Sequence, residues 1–280
     1  MPTRSSALEA DWLGACRRAT EAVANSLHAA PTTLERAVET GLGEGGDRTL
    51  VIDTAAEDSV FEQLDALHAQ GHRFTAVSEE RGTVDYGDGA VIVIIDPIDG
   101  SMNAKRGLPH HAISIAVADG DTMADVTFGY VYDFGPREEW VARLGEGATV
   151  NGRPLDPALP ERRTPDGKLE VLGIESSDPR WVADAAADLA VAAHRIRAIG
   201  AIAVSLCQVA AARFDAMLTL RSCRAVDAAA GQLIVREAGG EVAFTRCDEP
   251  LGAPLDVEPH TPVVAAREAQ TLADLSGVPR

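Results

Sequence analysis

Cysteine is scarce in this 280-residue sequence, and the cysteines present are scattered. Cys16, Cys207, Cys223 and Cys247 form no Cys-x-x-Cys pair, which argues against a zinc site and against a disulfide framework. Long apolar runs are missing too, because the longest have only the length of a strand and fall far short of a membrane span. The N-terminal segment carries charged residues within its apolar pattern, unlike a signal peptide. These absences predict a cytoplasmic protein with no membrane partner.

Basic residues are also in the minority. Lysine and arginine number 25 against 43 aspartates and glutamates, a formal net charge of −18. Such an acidic chain is poorly suited to nucleic acid or to an anionic membrane, so we expect no nucleic-acid partner. An anionic substrate has to be attracted by local positive charge, from bound metal or from arginines. The length allows one large domain or two modest ones, with ample material for a core.

The N-terminal half predicts helices followed by a series of strands. Apolar residues at helical spacing predict an amphipathic helix over residues 5 to 29. Proline, glycine and a Thr54-x-x-Glu57 capping pattern predict the next elements, which are a helix over 31–41, a strand over 48–53 and a helix over 54–71. Strands are predicted over 73–79, 90–96, 111–118, 123–132 and 138–144, with a tight hairpin turn at Asn151-Gly152.

The C-terminal half predicts alternating strands and helices. A stretch rich in Pro, Arg and Asp over 155–168 is the candidate seam between two subdomains. Beyond it, strands are predicted over 169–175, 195–199, 215–220 and 241–245, and helices over 179–192, 202–212 and 227–238. This order favours an α+β subdomain over residues 1–150 followed by an α/β subdomain over residues 151–280.

The most informative stretch is an apolar run over residues 90 to 101 that ends in polar side chains. The Val/Ile run predicts a strand buried on both faces, and Pro97 is expected to end it in a turn. Asp96, Asp99 and the carbonyl of Ile98 can then converge on one point. Two carboxylates at a buried strand end repel each other unless a positive charge lies between them. The stretch therefore predicts a site for a hard divalent cation.

Four motifs resemble, in their order, the inositol monophosphatase family of Mg²⁺-dependent phosphatases. They lie at residues 52–57, 77–80, 96–101 and 226–231, and the match covers residues 5 to 245, with Gly239-Gly240 after the last helix. Val226 stands where the family usually has a tryptophan, and Leu50 stands where a lysine is common. The resemblance implies a fold of the α+β or α/β class, a layered α-β-α-β-α sandwich of the sugar-phosphatase type.

The resemblance also implies the metal ligands. Glu79, Asp96 and the Ile98 carbonyl are expected to bind a first metal, and Asp96, Asp99 and Asp227 a second. Ligands that are all oxygen suit Mg²⁺ or Mn²⁺ better than Zn²⁺, and the family implies two or three ions per site. Such ions can activate water and stabilise the departing alkoxide. Taken singly, each Asp would equally suit a helix cap or a turn.

Catalytic and phosphate-binding residues follow from the same motifs. Asp53 and Ser101 are expected to form the pair that activates the attacking water as a general base, with Glu79 as the third catalytic residue. Ser101 can at the same time cap a short helix that runs through Lys105. The phosphate group is expected at the backbone amides of Gly100, Ser101 and Met102.

Two further features have competing interpretations. Glu57 suits either a capping role or a place behind the metal ligands. The pattern Gly41-x-Gly43-x-x-Gly46 satisfies the dinucleotide-binding fingerprint, but a predicted helix precedes it and a strand follows it, which is the reverse of what that fingerprint requires. We interpret this glycine pattern as a flexible loop.

Substrate preference is predicted from arginines. The candidate substrate-binding residues are Arg197, Gly200, Arg221 and Arg224. The arginines before Asp227 resemble those of the family branch that also hydrolyses fructose 1,6-bisphosphate. A guanidinium suits the second phosphate of such a substrate, because it can bind phosphate with two hydrogen bonds. Surface ion pairs are the competing explanation of these arginines.

The predicted function is a Mg²⁺-dependent phosphomonoesterase, expected as a homodimer, that acts on inositol monophosphate, fructose 1,6-bisphosphate or both. Water is expected to attack directly, because the two Asp of the central motif are three residues apart and do not form the Asp-x-Asp of aspartyl-phosphate enzymes. The alternatives are a phosphatase for 3′-phosphoadenosine 5′-phosphate or histidinol phosphate, and a non-catalytic homologue that binds metal or sugar phosphate.

Overall fold

The chain is described by a computed structural model over residues 6–42, 48–87 and 89–279. Its helices are α1 (Trp12–Ala29), α2 (Thr33–Arg36), α3 (Val51–Ala69), α4 (Ser101–Arg106), α5 (Pro179–Ala192), α6 (Ile202–Ala210), α7 (Ala225–Glu237) and α8 (Ala269–Leu275). Its strands are β1 (Glu39–Leu42), β2 (Arg48–Leu50), β3 (Thr75–Ser78), β4 (Gly82–Asp85), β5 (Val91–Asp99), β6 (Ala112–Asp119), β7 (Val126–Asp133), β8 (Glu138–Arg143), β9 (Gly147–Val150), β10 (Arg153–Pro154), β11 (Leu169–Glu175), β12 (Ala193–Arg197), β13 (Ala216–Thr219), β14 (Glu241–Phe244) and β15 (Val263–Ala266). No helix within these ranges has the length and apolarity to cross a membrane.

The larger sheet has eight strands in the order β10-β9-β8-β7-β6-β5-β3-β4. Neighbouring strands are antiparallel except β3 and β5, which run parallel, so that their carboxyl ends lie at the same edge. Along β5, Val91 and Val93 pack with α1 and α3, whereas Ile92 and Ile94 pack with α6 and α7. Burial on both faces explains why this strand is apolar at successive positions.

The smaller sheet has five strands in the order β12-β11-β13-β15-β14. β12, β11 and β13 are parallel, and β15 and β14 complete the sheet with antiparallel pairings. Met217 packs with α6 and α7, whereas Ala216 and Leu218 pack with α5 and α8. This sheet is therefore also covered on both faces.

The two sheets and their helices form five layers. Helices α1 and α3 cover the outer face of the larger sheet, α6 and α7 lie between the sheets, and α5 and α8 cover the outer face of the smaller sheet. The predicted α-β-α-β-α sandwich is thereby confirmed. The segment predicted as a seam, residues 155–168, connects β10 of the larger sheet to β11 of the smaller one.

The first predicted helices need correction. The helix predicted over 5–29 begins only at Trp12, after a 3₁₀ segment, because the Asp11 carboxylate caps it by accepting a hydrogen bond from the Gly14 amide at 2.9 Å. Of the helix predicted over 31–41, only α2 is helical, and Gly41 belongs to β1, which pairs with β2. Gly43 and Gly46 of the glycine pattern lie outside the described residues.

The boundary between β2 and α3 also differs from the prediction. The strand predicted over 48–53 ends at Leu50, and Asp53 lies in the first turn of α3. Thr54 does not cap this helix, because its hydroxyl donates back to the Leu50 carbonyl at 3.3 Å. The apolar run Leu50-Val51-Ile52 suits a strand and a buried helix equally, which explains the error.

Pro97 does not end β5. The strand continues to Asp99, and its pairing with β6 shifts register between Asp96 and Asp99. A proline is tolerated at such an irregularity because a ladder hydrogen bond is already missing there. Gly100 then adopts φ 82° and caps α4, so Ser101 is the first helical residue rather than the predicted N-cap.

Candidate active site

Two predicted metal ligands follow the same edge of the larger sheet. Ser78, the last residue of β3, pairs with Ile95 of β5. Glu79 follows Ser78 and Asp96 follows Ile95, so the two predicted ligands directly follow paired residues of neighbouring strands. The Asp96 side chain is buried, and its Oδ1 accepts a hydrogen bond from the Ile98 amide at 3.0 Å. The parallel pairing thus brings two motifs that are distant in the sequence to neighbouring positions.

Asp99 connects this edge to the central helical layer. The amide of Ile202 donates to its Oδ1 at 3.1 Å, and the amide of Ala203 donates to its Oδ2 at 2.8 Å. These amides begin α6, whose own N-cap residue, Ala201, offers no side-chain acceptor. Asp99, at the end of β5, therefore caps the N-terminus of α6, a role that the sequence did not predict.

The guanidinium of Arg224 lies between two further predicted ligands. Its Nη1 is 2.7 Å from Oε1 of Glu79, and its Nη2 is 3.2 Å from Oδ1 of Asp227. Asp227 lies in the first turn of α7, where its Oδ2 also accepts the backbone N–H of Arg224 at 3.1 Å. The sequence left Arg224 between a second substrate phosphate and an ion pair, and its guanidinium here is the counter-ion of the carboxylates. Its substrate role stays a prediction.

Burial and mutual repulsion raise the pKa values across this cluster. Burial raises the pKa of Glu79 to about 7, Arg224 opposes this rise, and Asp227 adds to it. Burial also raises the pKa of Asp96 and of Asp99, and the neighbouring carboxylates raise both further. Although burial disfavours a charged guanidinium, the carboxylates raise the pKa of Arg224. The cluster carries more negative charge than one guanidinium neutralises.

The donor set fits a hard divalent cation. Across the ranges given above, no three His, Cys, Asp or Glu side chains lie close enough together to hold one ion. The guanidinium of Arg224 lies between Glu79 and Asp227. The donors are nevertheless carboxylate oxygens alone, and the cluster is short of positive charge. Glu79, Asp96, Asp99 and Asp227 are the side chains that could hold such a cation, and their role as ligands stays a prediction.

Asp53, the predicted general base, has a buried side-chain oxygen without a partner among the described residues. Its Oδ2 accepts the Leu50 amide at 2.9 Å, whereas its Oδ1 is buried and has no hydrogen-bond partner among the described residues. Burial raises the pKa of Asp53 to about 7, against the opposing effects of the Leu50 amide and of Lys105 in α4. An unpaired buried oxygen is costly in free energy unless another group, such as a water molecule or a cation, binds it.

The predicted phosphate site begins at a glycine that no other residue can replace without strain. A Cβ atom at Gly100 would lie 2.9 Å from the Gly200 carbonyl oxygen, and the left-handed φ disfavours a side chain as well. Ser101 and Met102 follow with exposed side chains. The first amides of a helix have no acceptor within that helix, so α4 presents donors at this end.

The remaining predicted substrate residues lie in separate places. The guanidinium of Arg221 packs over Trp181, 5.1 Å from the ring centroid, and lies 3.6 Å from the Asp184 carboxylate. Arg197 is exposed and lines a cavity of about 530 Å³. Gly200 packs behind Gly100 through its carbonyl. Their substrate roles stay predictions.

Of the two roles expected of Glu57, the contacts exclude the capping role and agree with a place behind a predicted metal ligand. It does not cap α3, which begins six residues earlier at Val51. Its Oε1 instead accepts the Ser78 hydroxyl at 2.5 Å and the Arg81 amide at 3.1 Å. Glu57 therefore holds the segment on either side of Glu79 and positions that predicted ligand.

Sequence reasoning missed Glu175, a buried carboxylate at the end of β11. Its two oxygens accept the Ile199 and Gly200 amides at 3.0 Å each, and the Ser205 hydroxyl at 2.6 Å. It also contributes to the raised pKa of Asp99. The sequence carried a signal for it, because Glu175 follows an apolar strand segment in the same way as Asp96 follows Ile94-Ile95.

Without a divalent cation, the raised pKa values predict a protein that loses stability as the pH rises. Asp53 and Glu79 have folded-state pKa values of about 7, against roughly 4 in an unfolded chain. Between these values only the folded protein binds the proton, so each group lowers the free energy of unfolding by at most about 1.4 kcal/mol per pH unit. In metal-free buffer, we expect the urea concentration at the unfolding midpoint to decrease as the pH is raised from 5.5 to 7.5. In saturating Mg²⁺, we expect this decrease to be smaller. The same decrease with and without Mg²⁺ would show that other groups cause it.

Comparison with known proteins finds a family model that matches nearly the whole chain and relatives that match most of it. The model of the inositol monophosphatase family matches residues 8–277. A relative from Archaeoglobus fulgidus, named fructose-1,6-bisphosphatase/inositol-1-monophosphatase, is 34% identical over 246 residues, which are 84% of this chain and 85% of the relative. One from Pasteurella multocida, named Nus factor SuhB, is 33% identical over 208 residues, 73% of this chain and 74% of the relative.

The solved structures agree with the fold. The crystal structure of an inositol monophosphatase–fructose 1,6-bisphosphatase covers 96% of this chain and 100% of its own, with a TM-score of 0.81 at 24% sequence identity. The fold and the family match therefore point the same way as the four motifs. The chain belongs to the inositol monophosphatase family and, with it, to the phosphoric monoester hydrolases.

Proposed function

We propose that this chain is a Mg²⁺-dependent phosphomonoesterase that hydrolyses a small phosphorylated polyol or sugar: inositol monophosphate, fructose 1,6-bisphosphate or both. The observation that carries the proposal is the buried cluster of Glu79, Asp96, Asp99 and Asp227, in which four carboxyl groups share the single guanidinium of Arg224. The relative named fructose-1,6-bisphosphatase/inositol-1-monophosphatase supports the substrate class.

The residues of the chain divide the work of hydrolysis. Asp53, with a pKa raised to about 7 by burial and a free oxygen, can accept a proton from the attacking water near neutral pH. The Ser101 hydroxyl at the start of α4 can relay this proton from the water to Asp53, and the amides of Gly100, Ser101 and Met102 can orient the phosphate. Bound Mg²⁺ or Mn²⁺, two or three ions per site, would polarise the phosphoryl group and stabilise the leaving oxygen.

The proposal includes three further features of the protein. It is a cytoplasmic homodimer, and its site is divided between the subdomain of residues 1–150, with most of the ligands, and that of residues 151–280, with Asp227. The position of Asp227 supports this division, because α7 lies in the layer between the two sheets.

Phosphate release tests the proposal. Purified protein is assayed with inositol 1-phosphate, fructose 1,6-bisphosphate, 3′-phosphoadenosine 5′-phosphate and histidinol phosphate, each in Mg²⁺ and in EDTA. We expect the highest kcat/KM on one of the first two substrates, and at least a 100-fold loss in EDTA, because the cation supplies several kcal/mol of charge stabilisation. Turnover that survives EDTA would reject the mechanism.

The outcomes also separate the alternatives. The highest kcat/KM on one of the last two substrates would select the alternative phosphatases on the same fold. Binding of Mg²⁺ with no turnover of any substrate would select the non-catalytic homologue. The relative named Nus factor SuhB makes this last control worth running, although Asp53, Ser101 and all the predicted ligands are retained here.

A further inference from the structure

A large cavity lies apart from the carboxylate cluster, between α1, α2 and the end of β7. Its volume is about 760 Å³, which is within the usual range for small-molecule sites. Among the described residues that line it, none is a candidate catalytic residue, metal ligand or substrate-binding residue. The chemistry of its walls therefore has to be explained separately from hydrolysis.

One wall of this cavity is aromatic. Tyr132 and Phe134 lie at the end of β7 and just beyond it, and both are only partly buried. Their rings form an edge-to-face pair with centroids 5.2 Å apart. Phe134 also stacks on His111, with centroids 5.7 Å apart and 22° between the planes. Partly exposed rings that are already ordered by one another offer a stacking surface to a planar ligand.

The floor of the cavity is polar and ordered. Tyr130 is fully buried, and its hydroxyl is hydrogen-bonded to the Thr20 hydroxyl at 2.9 Å. Nδ1 of His111 lies 3.2 Å from the Leu108 carbonyl oxygen. A carbonyl only accepts, so Nδ1 carries the proton and Nε2 of the neutral ring is an acceptor.

The charges of the cavity are reversed relative to the rest of the chain. Three arginines line it, Arg17, Arg36 and Arg137, against two glutamates, Glu21 and Glu139. Arg17 is neutralised by two hydrogen bonds of 2.8 Å to Glu139. In a chain of net charge −18, a cavity where arginines outnumber carboxylates favours an anion.

Arg36 is the arginine best placed to receive that anion. Its hydrogen bonds go to the carbonyl oxygens of Ala30, Ala104 and Leu27, at 2.8, 2.9 and 3.0 Å. A guanidinium has five N–H donors, so two of them have no acceptor in the part of the chain that the structure describes. No ion pair of Arg36 or of Arg137 with a carboxylate is found there either. As far as the described residues go, both charges are therefore left to a ligand.

We propose that this cavity binds a small molecule that combines a planar aromatic ring with an anionic group. The ring stacks on Phe134 and Tyr132, and the anion contacts Arg36 and Arg137. A purely aliphatic acid would leave the aromatic wall unused, and an uncharged aromatic molecule would leave the guanidinium groups without a counter-ion. The site is independent of the proposed phosphatase reaction.

Titration calorimetry with 2-naphthoate tests this site, because a carboxylate is no substrate of a phosphatase. The full chain is titrated in a buffer that contains Mg²⁺ and inorganic phosphate, so that phosphate occupies the candidate active site. We expect one molecule to bind per chain, with decahydro-2-naphthoate and 2-naphthylmethanol binding at least 5-fold more weakly. No binding of 2-naphthoate at millimolar concentration would overturn the proposal.

Two variants locate the bound probe. Phe134→Leu removes a stacking ring and should weaken binding by about 2- to 10-fold. Arg137→Asn removes a charge at an exposed residue with φ 59°, a backbone conformation that asparagine tolerates, and should weaken binding by about 10-fold. The matched control is Arg153→Asn, at an exposed arginine of β10 outside the cavity, which should bind like the wild type. Unchanged binding in both cavity variants, with thermal unfolding that shows each is folded, would overturn the assignment.

Discussion

Replacement of Asp53 by asparagine is expected to lower kcat by about 10²- to 10⁴-fold, the usual scale for the loss of a general base. The amide keeps an oxygen that can accept the Leu50 N–H, but it cannot take a proton from water. Because burial raises the pKa of Asp53 to about 7, the ionised carboxylate lowers the stability of the folded state. The variant should therefore unfold at the same temperature as the wild type or a higher one.

Steady-state kinetics and thermal unfolding check this prediction together. A lost proton acceptor lowers kcat while KM changes little, whereas a distorted site changes both. Glu62→Gln is the matched control, a change from carboxylate to amide at an exposed position of the same helix, α3. Near-normal kcat in Asp53→Asn, or an equal loss in Glu62→Gln, would remove Asp53 from the mechanism.

Much of the fold could be predicted because its strands are covered on both faces. β5 and β11 are apolar runs that end in carboxylates, and helical periodicity located α5, α6 and α7 to within a few residues. The errors arose where local signals were balanced or absent. β15 and α8 went unpredicted because they follow a long stretch of turn composition, over residues 246–262, that hides the last strand of the smaller sheet.

The candidate site was predictable only as a set of residues. The motifs identify Glu79, Asp96 and Asp227, but which atoms meet depends on the pairing of β3 with β5 and on the position of α7 between the sheets. Arg224 shows the difference. From the sequence its guanidinium has equal claims to a substrate phosphate and to an ion pair, and only tertiary packing brings it onto Glu79.

Replacement of Arg224 by methionine is expected to destabilise the protein strongly in EDTA and much less in Mg²⁺. The side chains of Arg224, Glu79 and Asp227 are 16%, 14% and 10% exposed, so this counter-ion is largely buried. Removing one partner of a buried ion pair leaves the other charge uncompensated, at a cost of about 3–5 kcal/mol. A divalent cation bound by the same carboxylates replaces the lost charge, and returns most of this free energy.

Mg²⁺ and Arg224 should therefore compete for the carboxylates. At about 100 times its Kd, an ion that binds only the folded state adds roughly 2.7 kcal/mol to the free energy of unfolding. We expect this increment to be larger in Arg224→Met than in the wild type, and calorimetry to show tighter binding of Mg²⁺, because no guanidinium has to be displaced. Urea unfolding in EDTA and in saturating Mg²⁺ measures the increment.

A second arginine separates this competition from ordinary packing loss. Arg213 is bonded to both oxygens of Glu138, at 2.6 and 2.7 Å, and lies over the ring of Trp140 away from the candidate ligands. Arg213→Met should cost the same free energy in EDTA and in Mg²⁺, since no cation replaces it. Should Arg224→Met behave in that way too, the cation binds elsewhere, and Glu79 and Asp227 are partners of an arginine rather than ligands of a metal.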